Sequence, residues 1–337
     1  MTAAALRRAW ERRGLLACLL LPLAWLYGAI AAMRRAAYQC GLARAERVPV
    51  PVVVVGNVLA GGAGKTPVVT ALVQHLQAAG LRVGVVSRGY GRRSAQCAEV
   101  TASSQAHEVG DEPLLIARVT GAPVFVAARR IAAARALLRT YPATQVIVSD
   151  DGLQHLALAR DIEVCVFDER GAGNGWLLPA GPLREPWPRP VDLLLRPPGD
   201  VPGVQGGFWM ARQLATHAVR ADGTKKPLAE LGATPVAALA GIARPEAFFA
   251  MLRSAGLRIA HAAPLADHHD FDARPADIPA GMPLLCTEKD AVKLWPHDPM
   301  AWAVPLQVDI DPAFWTALQR LLHGATALSS TDGSQTA

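Results

Sequence analysis

The sequence predicts an α/β protein: a mostly parallel sheet covered by helices, followed by a second, smaller α/β domain. Short runs rich in valine and isoleucine alternate with helical stretches from about residue 51 onward, an order typical of this class. One of these runs leads directly into a glycine-rich turn and a helix. Apolar residues make up 51% of the 337 residues and charged residues 18%, which excludes a disordered or coiled-coil chain.

The apolar runs of the first half are predicted strands, because each is too short for a helix and rich in β-branched residues. They are Val52–Val55, Val83–Ser87, Val124–Ala127, Gln145–Ser149, Ile162–Phe167 and Val191–Leu195. Helices are predicted at Thr66–Ala79 and Pro113–Thr120, since each stretch stops before a glycine. Continuous apolar strands between helices indicate a parallel sheet that is buried on both faces.

A stretch rich in proline and glycine, roughly residues 179–207, interrupts this pattern and is predicted to be a boundary or an active-site loop. The elements predicted after it are a strand at Val236–Ala240, a helix at Pro245–Ala255, a strand at Leu284–Thr287 and a helix near Ala313–Leu322. We therefore expect four parts. They are an N-terminal segment 1–47, a first domain 48–215, a smaller domain 216–325 and a flexible tail 326–337.

The formal net charge of +6 belongs to the N-terminal segment. Eight arginines and two glutamates lie within residues 1–47, and the remaining 290 residues hold 26 basic and 26 acidic side chains. A protein that binds nucleic acid through its globular body normally carries the positive excess there. We therefore expect no nucleic-acid partner.

Gly14 to Met33 is a run of twenty residues without a charge, with arginines on both sides. A helix of that length measures about 30 Å, the thickness of the hydrocarbon core of a bilayer. The flanking arginines, with Trp10, Trp25 and Tyr27, suit an anionic membrane surface. The run predicts a membrane-anchoring helix, with a secretory signal peptide and a buried core helix as alternatives. Whether the helix spans the bilayer or lies in its interface stays open.

The segment VVVVGNVLAGGAGKTP, residues 52–67, is typical of a P-loop, in which a buried strand leads through a glycine-rich turn into a helix. Lys65 would reach the β- and γ-phosphates of a nucleotide, and the Thr66 hydroxyl would bind Mg²⁺. The strict motif has glycine where this chain has Leu59, so a chance glycine-rich turn is the alternative. The segment nonetheless predicts a P-loop NTPase-like α/β/α sandwich. The residues expected to surround the phosphates with backbone N–H groups are Gly61, Gly62, Ala63 and Gly64.

Two acids, Asp150 and Asp151, follow the predicted strand at 145–149. A P-loop enzyme needs a carboxylate for the magnesium shell, and ligands bind at the carboxyl ends of parallel strands. Consecutive residues of a strand point to opposite sides, so we expect only one of the two acids to face the metal. The other would cap the following turn.

Three further stretches bear on the group that accepts the phosphate. SRGYGR at 87–92 combines arginines with a tyrosine, which suits an anionic substrate as well as an ordinary surface turn. Asp111 precedes a predicted helix and is either its N-cap or a functional carboxylate. The segment DHHD at 267–270 is either a metal cluster or a hydrogen-bonded or exposed pair of polar side chains.

Six motifs, in this order behind the apolar run, resemble the tetraacyldisaccharide 4′-kinases of lipid A biosynthesis over nearly the whole chain. They are GNVLAGGAGKTP, SRGYGRR, VGDEPLL, SDDGLQH, GPLREP and CTEKDAVKL. The resemblance implies transfer of phosphate from ATP, with Mg²⁺, to the 4′-hydroxyl of a tetraacylated disaccharide 1-phosphate, by two α/β/α domains. The reaction would take place at the cytoplasmic face of the bacterial inner membrane.

The partners expected on this basis are the lipid A disaccharide precursor and an anionic membrane surface, with no obligate protein partner evident. Five scattered cysteines without a CxxC pair argue against a disulfide framework or a zinc site. They favour a reducing compartment, which agrees with a cytoplasmic body.

The resemblance also implies roles for single residues. Lys65 and Thr66 would contact the nucleotide, with Lys65 also catalytic, and Asp150 and Asp151 would flank the magnesium site. Asp111 would be catalytic together with a histidine of the DHH segment, where His268 is preferred and His269 stays open. The implied substrate or phosphate contacts are Arg88, Tyr90, Arg130, Gln154 and Arg184. Glu288 and Lys289 match a recurrent motif to which we assign no role.

The main alternative function is a membrane-associated P-loop ATPase switch of the metal-chaperone or partitioning type, which shares the loop pattern G-G-x-G-K-T. Such a switch would use hydrolysis to control a protein partner and would not need Arg88, Asp111 and the DHH segment. A membrane-anchored nucleotide-binding scaffold without enzymatic activity is a third possibility.

Overall fold

The computed structural model describes residues 10–62, 64–275, 278–279 and 281–332. The chain divides into two compact units: the first takes in Met1–Arg88, Ala127–Ala211 and Ile310–Ala337, and the second Gly89–Val126 and Arg212–Asp309. This division differs from the predicted contiguous domains 48–215 and 216–325. The residues from Gly89 to Val126 belong to the same unit as Arg212–Asp309. No local sequence pattern indicates that these two distant stretches pack together.

The secondary structure alternates strands and helices along most of the chain. In chain order the helices are α1 (Leu15–Leu19), α2 (Leu21–Gln39), α3 (Lys65–Ala78), α4 (Ala106–Val109), α5 (Asp111–Thr120), α6 (Arg130–Thr140), α7 (Leu228–Leu231), α8 (Pro245–Ser254), α9 (Glu288–Leu294) and α10 (Pro312–Asp332). The strands are β1 (Val52–Gly56), β2 (Val83–Ser87), β3 (Ala98–Val100), β4 (Val124–Val126), β5 (Val146–Asp150), β6 (Ile162–Val166), β7 (Leu193–Arg196), β8 (Phe208–Leu214), β9 (His217–Val219), β10 (Lys225–Pro227), β11 (Val236–Ala240), β12 (Ile259–Pro264), β13 (Leu284–Thr287), β14 (Trp302–Val304) and β15 (Leu306–Ile310).

The sheet of the first unit confirms the predicted parallel arrangement. Its strands run in the order β8–β7–β6–β1–β5–β2, and every pair in that order is parallel. Strands β1, β2 and β5 are buried along their whole length, as expected of valine-rich strands covered on both faces. The carboxyl ends of β1 and β5 lie side by side, since Val55 pairs with Asp150. This edge of the sheet is where parallel α/β folds bind ligands.

The second unit has a mixed sheet in the order β10–β9–β14–β13–β11–β12. The strands from β14 to β12 are parallel, and β9 and β10 extend the sheet in antiparallel fashion. An antiparallel pair, β3 with β4, belongs to the same unit. Helices α5 and α9 lie together, because Leu114 and Leu115 of α5 pack on the apolar cluster that contains Ala291 and Leu294 of α9.

The apolar run predicted as one helix from Gly14 to Met33 forms two helices, because Leu20 separates α1 from α2. Pro22 lies in the first turn of α2, where its missing N–H would have had no helical acceptor. Across the described residues, no helix combines the length and the apolar character that crossing a membrane requires.

The helix predicted at Ala313–Leu322 is longer at both ends, since α10 runs from Pro312 to Asp332. The first part of the predicted flexible tail 326–337 is helical as far as Asp332. Residues 333–337 of that tail lie outside the described residues.

Candidate active site

The glycine-rich loop after β1 contains two glycines in the left-handed region. Gly61 has φ +87° and Gly64, the residue before α3, has φ +68°, a left-handed conformation that costs other residues roughly 1–2 kcal/mol. Arg170 donates from Nη1 to the carbonyl of Ala60 at 3.3 Å and from Nη2 to that of Gly62 at 3.2 Å. Ala63, a predicted phosphate contact, lies outside the described residues.

Lys65 is the first residue of α3 and points toward the end of β5. Its Nζ lies 3.3 Å from the Oδ1 atom of buried Asn57 and 3.3 Å from Asp151 Oδ1. Thr66 follows in the first turn of the same helix. The predicted lysine and hydroxyl therefore stand at a helix N-terminus, where the dipole and the backbone N–H groups favour phosphate.

The two acids at the end of β5 are held differently. Asp150 is the last residue of the strand, is buried, and accepts a hydrogen bond of 3.2 Å from Ser87 Oγ. Asp151 has φ +46°, so the strand does not continue through it. Burial raises the pKa of Asp151, but the charges of Lys65 and Arg184 outweigh burial and hold it below its ordinary value. Asp151 is therefore an ionised carboxylate between two cations.

Three of the predicted substrate residues gather around Asp151. Arg184 Nη1 lies 3.3 Å from both oxygens of the Asp151 carboxylate and 3.5 Å from Gln154 Oε1. Arg130 is buried and donates to the backbone oxygen of Asp151 at 2.9 Å. Arg88, directly after β2, is exposed.

Glu185 completes this cluster and was missed as a site residue, although the GPLREP motif contains it. It is buried and accepts a hydrogen bond of 2.6 Å from Gln154 Nε2. Its other oxygen lies 2.9 Å from Arg35 Nη2 and 3.2 Å from Arg189 Nε. Gln154 also donates to the backbone oxygen of Asn57 at 2.9 Å. A local motif could have singled out Glu185, but two of its partners, Arg35 and Gln154, are far away in the sequence.

The second unit brings Asp111 and His268 together. Gly110 is the N-cap of α5, and Asp111 is the first helical residue, so the N-cap interpretation of Asp111 is wrong. Its Oδ2 atom lies 3.0 Å from His268 Nδ1, although 157 residues separate the two. His269 instead packs edge-on against Phe271, with ring centroids 4.9 Å apart. Of the two histidines, His268 is therefore the partner of Asp111.

The backbone of His268 is held in an uncommon conformation. Its φ is +61°, and strained backbone of this kind is found mainly where the surrounding structure enforces it, often at functional sites. The N–H of His268 donates to the backbone oxygen of Gly241 at 3.1 Å. The N–H of Gly241 in turn donates to Asp290 Oδ2 at 3.0 Å. Thr287, the N-cap of α9, donates to the same carboxylate at 2.6 Å.

The charges around the pair separate the pKa values of its members. Burial raises the pKa of Asp111, but the hydrogen bond with His268 and the charges of Lys289 and Lys293 together hold it below its ordinary value. The hydrogen bond to Asp111 raises the pKa of His268, against burial and the charge of Lys289, which lower it. His268 is thus the better proton acceptor of the two at neutral pH.

Tyr90 lies beside this pair in the second unit. Its ring centroid is 5.3 Å from that of His268, and 65% of the residue is exposed.

Among the residues that the structure describes, no group of three or more His, Cys, Asp or Glu side chains could hold a metal ion. The metal-cluster interpretation of residues 267–270 is therefore wrong, and the hydrogen-bonded alternative is correct.

Comparison with known proteins identifies the family. A sequence model described as Tetraacyldisaccharide-1-P 4′-kinase matches residues 16–323. A tetraacyldisaccharide 4′-kinase of Acidovorax sp. (strain JS42) is 61% identical over 94% of each chain, and that of Herminiimonas arsenicoxydans is 46% identical over 94% of this chain and 95% of its own. A crystal structure of LpxK from Aquifex aeolicus in complex with ATP has a TM-score of 0.80 and 29% identity, covering 91% of this chain and 100% of that one. The chain therefore belongs to the tetraacyldisaccharide-1-P 4′-kinase family, whose members are kinases that phosphorylate a lipid A precursor.

Proposed function

We propose that this chain transfers the γ-phosphate of ATP to the 4′-hydroxyl of a tetraacyldisaccharide 1-phosphate, and that His268, oriented by Asp111, accepts the proton of that hydroxyl. Membership of the kinase family supports the overall reaction, whereas nothing favours the ATPase switch. The observation that carries the assignment of the base is the 3.0 Å contact between His268 Nδ1 and Asp111 Oδ2.

The P-loop of the first unit would bind the triphosphate. The backbone N–H groups of Gly61, Gly62 and Gly64 and the ammonium of Lys65 would contact its oxygens. The oxygen ligands near Lys65 fit Mg²⁺, because the Thr66 hydroxyl and the carboxylate of either Asp150 or Asp151 are the hard oxygen ligands that this ion prefers. They are too few for an octahedral shell, as expected of an ion that also binds phosphate and water. When bound, Mg²⁺ neutralises charge that develops on the phosphates.

The sugar hydroxyl must lose its proton as its oxygen bonds to the γ-phosphorus and the bond from that phosphorus to the leaving ADP oxygen breaks. Nε2 of His268 would take the proton while Nδ1–H donates to Asp111. Because Asp111 stays ionised, it would stabilise the imidazolium that forms. General base catalysis of this kind contributes about 10²–10⁴-fold to the rate.

The predicted substrate residues divide into two groups by exposure. Arg88 and Tyr90 are exposed and would contact phosphate and sugar groups of the substrates directly. Arg130 is buried and bonded to the backbone of Asp151, and Gln154 is bonded to Asn57 and Glu185, so these two would position their neighbours. Arg184 would serve both purposes, because it is partly exposed beside Asp151.

The N-terminal helices would lie in the interface of an anionic membrane, at the cytoplasmic face of the bacterial inner membrane. One side of this segment is bonded to the rest of the first unit: Tyr27 of α2 donates to the backbone oxygen of Arg184 at 2.8 Å, and Arg13, just before α1, donates to that of Asn174 at 3.0 Å. Since these bonds occupy one side, lipid would surround only the other. The other side exposes seven large apolar residues, which are Leu15, Leu19, Leu23, Trp25, Leu26, Ile30 and Met33.

The proposal is tested with a matched pair of variants, His268→Gln and His269→Gln, assayed with radiolabelled ATP and a purified tetraacyldisaccharide 1-phosphate. We expect His268→Gln to lower kcat by about 10²–10⁴-fold with ATP affinity unchanged, and His269→Gln to stay within a few-fold of the wild type. Equal activities of the two variants would remove His268 as the base. Release of labelled phosphate to water alone, with none on the lipid, would refute the proposed kinase reaction.

A further inference from the structure

Lys289 stands at the centre of the charged cluster around Asp111 and His268, and the proposed reaction gives it no role. It belongs to α9, and its side chain is 18% exposed. Its Nζ lies 3.1 Å from His268 Nε2 and 3.8 Å from Asp111 Oδ2. The same atom lies 3.5 Å from Glu112 Oε1 and 3.7 Å from Asp267 Oδ1. The ammonium thus touches His268 on the ring nitrogen that does not face Asp111.

The two contacts of the imidazole determine where its proton lies. The ionised carboxylate of Asp111 can only accept, so Nδ1 of His268 must carry a hydrogen. An ammonium can only donate, so Nε2 must present its lone pair to Lys289. A second proton on Nε2 would break that hydrogen bond and place two cations 3.1 Å apart. Asp267 Oδ1 lies farther from Nε2, at 3.9 Å. Of the two neutral tautomers, the geometry therefore selects the one with its hydrogen on Nδ1.

We propose that Lys289 is a positioning residue that holds His268 in the neutral tautomer protonated on Nδ1, which keeps the Nε2 lone pair available for the proton of the acceptor hydroxyl. This inference rests on the proposed role of His268 as the base. Asp111 alone would favour the imidazolium, which cannot accept a proton. Lys289 opposes that effect from the other side of the ring.

Other charged and titratable groups surround the pair, and none of them replaces Lys289. From α5 come the carboxylates of Asp111 and Glu112, and from the loop before His268 comes Asp267. From α9 come Lys293, whose Nζ is 3.6 Å from Asp111 Oδ2, and buried Asp290, which bonds Gly241. The Tyr90 ring packs against the imidazole. Of the two lysines, only Lys289 contacts His268 at a ring nitrogen; Lys293 contacts Asp111.

Lys289 has other acceptors when a substrate hydroxyl takes its place at Nε2. Burial lowers the pKa of Lys289, but the carboxylates of Glu112, Asp111 and Asp267 outweigh burial and raise it, so the side chain is an ammonium at neutral pH. A small rotation of the Lys289 side chain would bring its Nζ into hydrogen-bond distance of the Glu112 and Asp267 carboxylates, which lie 3.5 Å and 3.7 Å away. The ammonium can therefore leave Nε2 and remain paired.

The first test is the ¹⁵N NMR spectrum of His268 in the wild-type protein, assigned by its loss in His268→Gln. We expect the neutral ring to be protonated on Nδ1, and a neutral ring protonated on Nε2 would overturn the inference. This measurement needs no variant of Lys289, so it stands even if such a variant does not fold.

The second test compares Lys289→Met with Lys225→Met, which removes the same charge from an exposed position on β10 of the same unit. We expect the pKa of His268, followed by NMR, to rise by about one pH unit in Lys289→Met and not to change in Lys225→Met. The midpoint of the fall of kcat at acidic pH should move upward by the same amount in Lys289→Met. In Lys289→Gln, whose amide can still donate to Nε2, we expect a smaller shift.

The two readouts separate the inference from the proposed reaction. An unchanged pKa and tautomer of His268 in Lys289→Met would overturn the role of Lys289. A different outcome is that the pKa of His268 measured by NMR rises in Lys289→Met while the acidic midpoint of kcat against pH does not change. In that case Lys289 controls His268 as inferred, and the assignment of His268 as the base is refuted.

Discussion

Arg35 Nη2 lies 2.9 Å from Glu185 Oε2, while the other oxygen of that carboxylate accepts a hydrogen bond of 2.6 Å from Gln154. Glu185 is buried, and helix α2 supplies one of the two arginines that pair with this carboxylate inside the first unit. Gln154 reaches Arg184, which reaches Asp151. The N-terminal segment is thus connected to the carboxylate of Asp151, directly after β5.

Removal of the Arg35 charge is expected to weaken this connection. In Arg35→Met, the free energy of unfolding should fall by about 1–2 kcal/mol, because a buried carboxylate loses a charged hydrogen-bond partner. Arg189 remains as its second partner, which limits the loss. Chemical denaturation measures the change, with Arg34→Met as the control, since Arg34 is exposed on the same helix. Equal stability of the two variants would show that the contact does not contribute.

Lys65 is expected to be needed for turnover. Lys65→Met should lower kcat at least about 100-fold, because no other side chain at the start of α3 supplies positive charge to the developing phosphate oxygens. Transfer of label from ATP to the lipid measures the loss, and Lys225→Met is the matched control. Activity within a few-fold of the wild type would remove the P-loop assignment.

The pH dependence of the wild-type reaction follows from the pKa of His268. The hydrogen bond to Asp111 raises that pKa above the ordinary value of 6.5, and only the neutral ring accepts a proton. We therefore expect kcat to be low in acid and to rise tenfold per pH unit up to a midpoint above pH 6.5. Initial rates between pH 5 and 9 at saturating substrates locate the midpoint. A midpoint well below 6.5 would contradict this assignment.

The dependence of the protein's stability on pH should show the interaction between Asp111 and His268. The depressed pKa of Asp111 stabilises the fold above its ordinary value of 3.8 and not in stronger acid. The raised pKa of His268 stabilises the fold below 6.5 and loses that contribution as pH rises through the folded value. The cost of Asp111→Asn should therefore be largest between about pH 4.5 and 6.5. Thermal unfolding of both proteins from pH 3 to 8 measures it, and a cost independent of pH would contradict the charged interaction.

The exposed apolar side of α1 and α2 is expected to bind lipid. Replacement of Leu19, Leu23 and Leu26 by serine should reduce co-sedimentation with vesicles of anionic phospholipid at least tenfold, because three large apolar side chains lose their transfer energy. These residues are 77%, 55% and 59% exposed, so the fold should tolerate the change. Met300→Ser, at a position 57% exposed in the second unit, is the control. Unchanged sedimentation would indicate another membrane-binding surface.

Several elements could be predicted from the sequence because their signals are local. The bounds of β2, β11 and β13 agree with the predicted ones, since each is a short run of apolar or small residues that is buried apart from half-buried Thr287. The strand, loop and helix around Lys65 follow from glycine spacing. The break at Leu20 was not predicted, because the uniform apolar character of residues 14–33 hid the start of a new helix near Pro22.

The sequence by itself determined the class of fold, the position of the phosphate loop and, through six ordered motifs, the family. The tertiary structure decided which residues of those motifs meet: His268 rather than His269 faces Asp111, Glu185 joins Gln154, and Lys289 contacts the imidazole. These contacts join residues 157, 31 and 21 positions apart. Backbone periodicity acts over a few residues, so only the packing of distant elements could bring such side chains within hydrogen-bond distance.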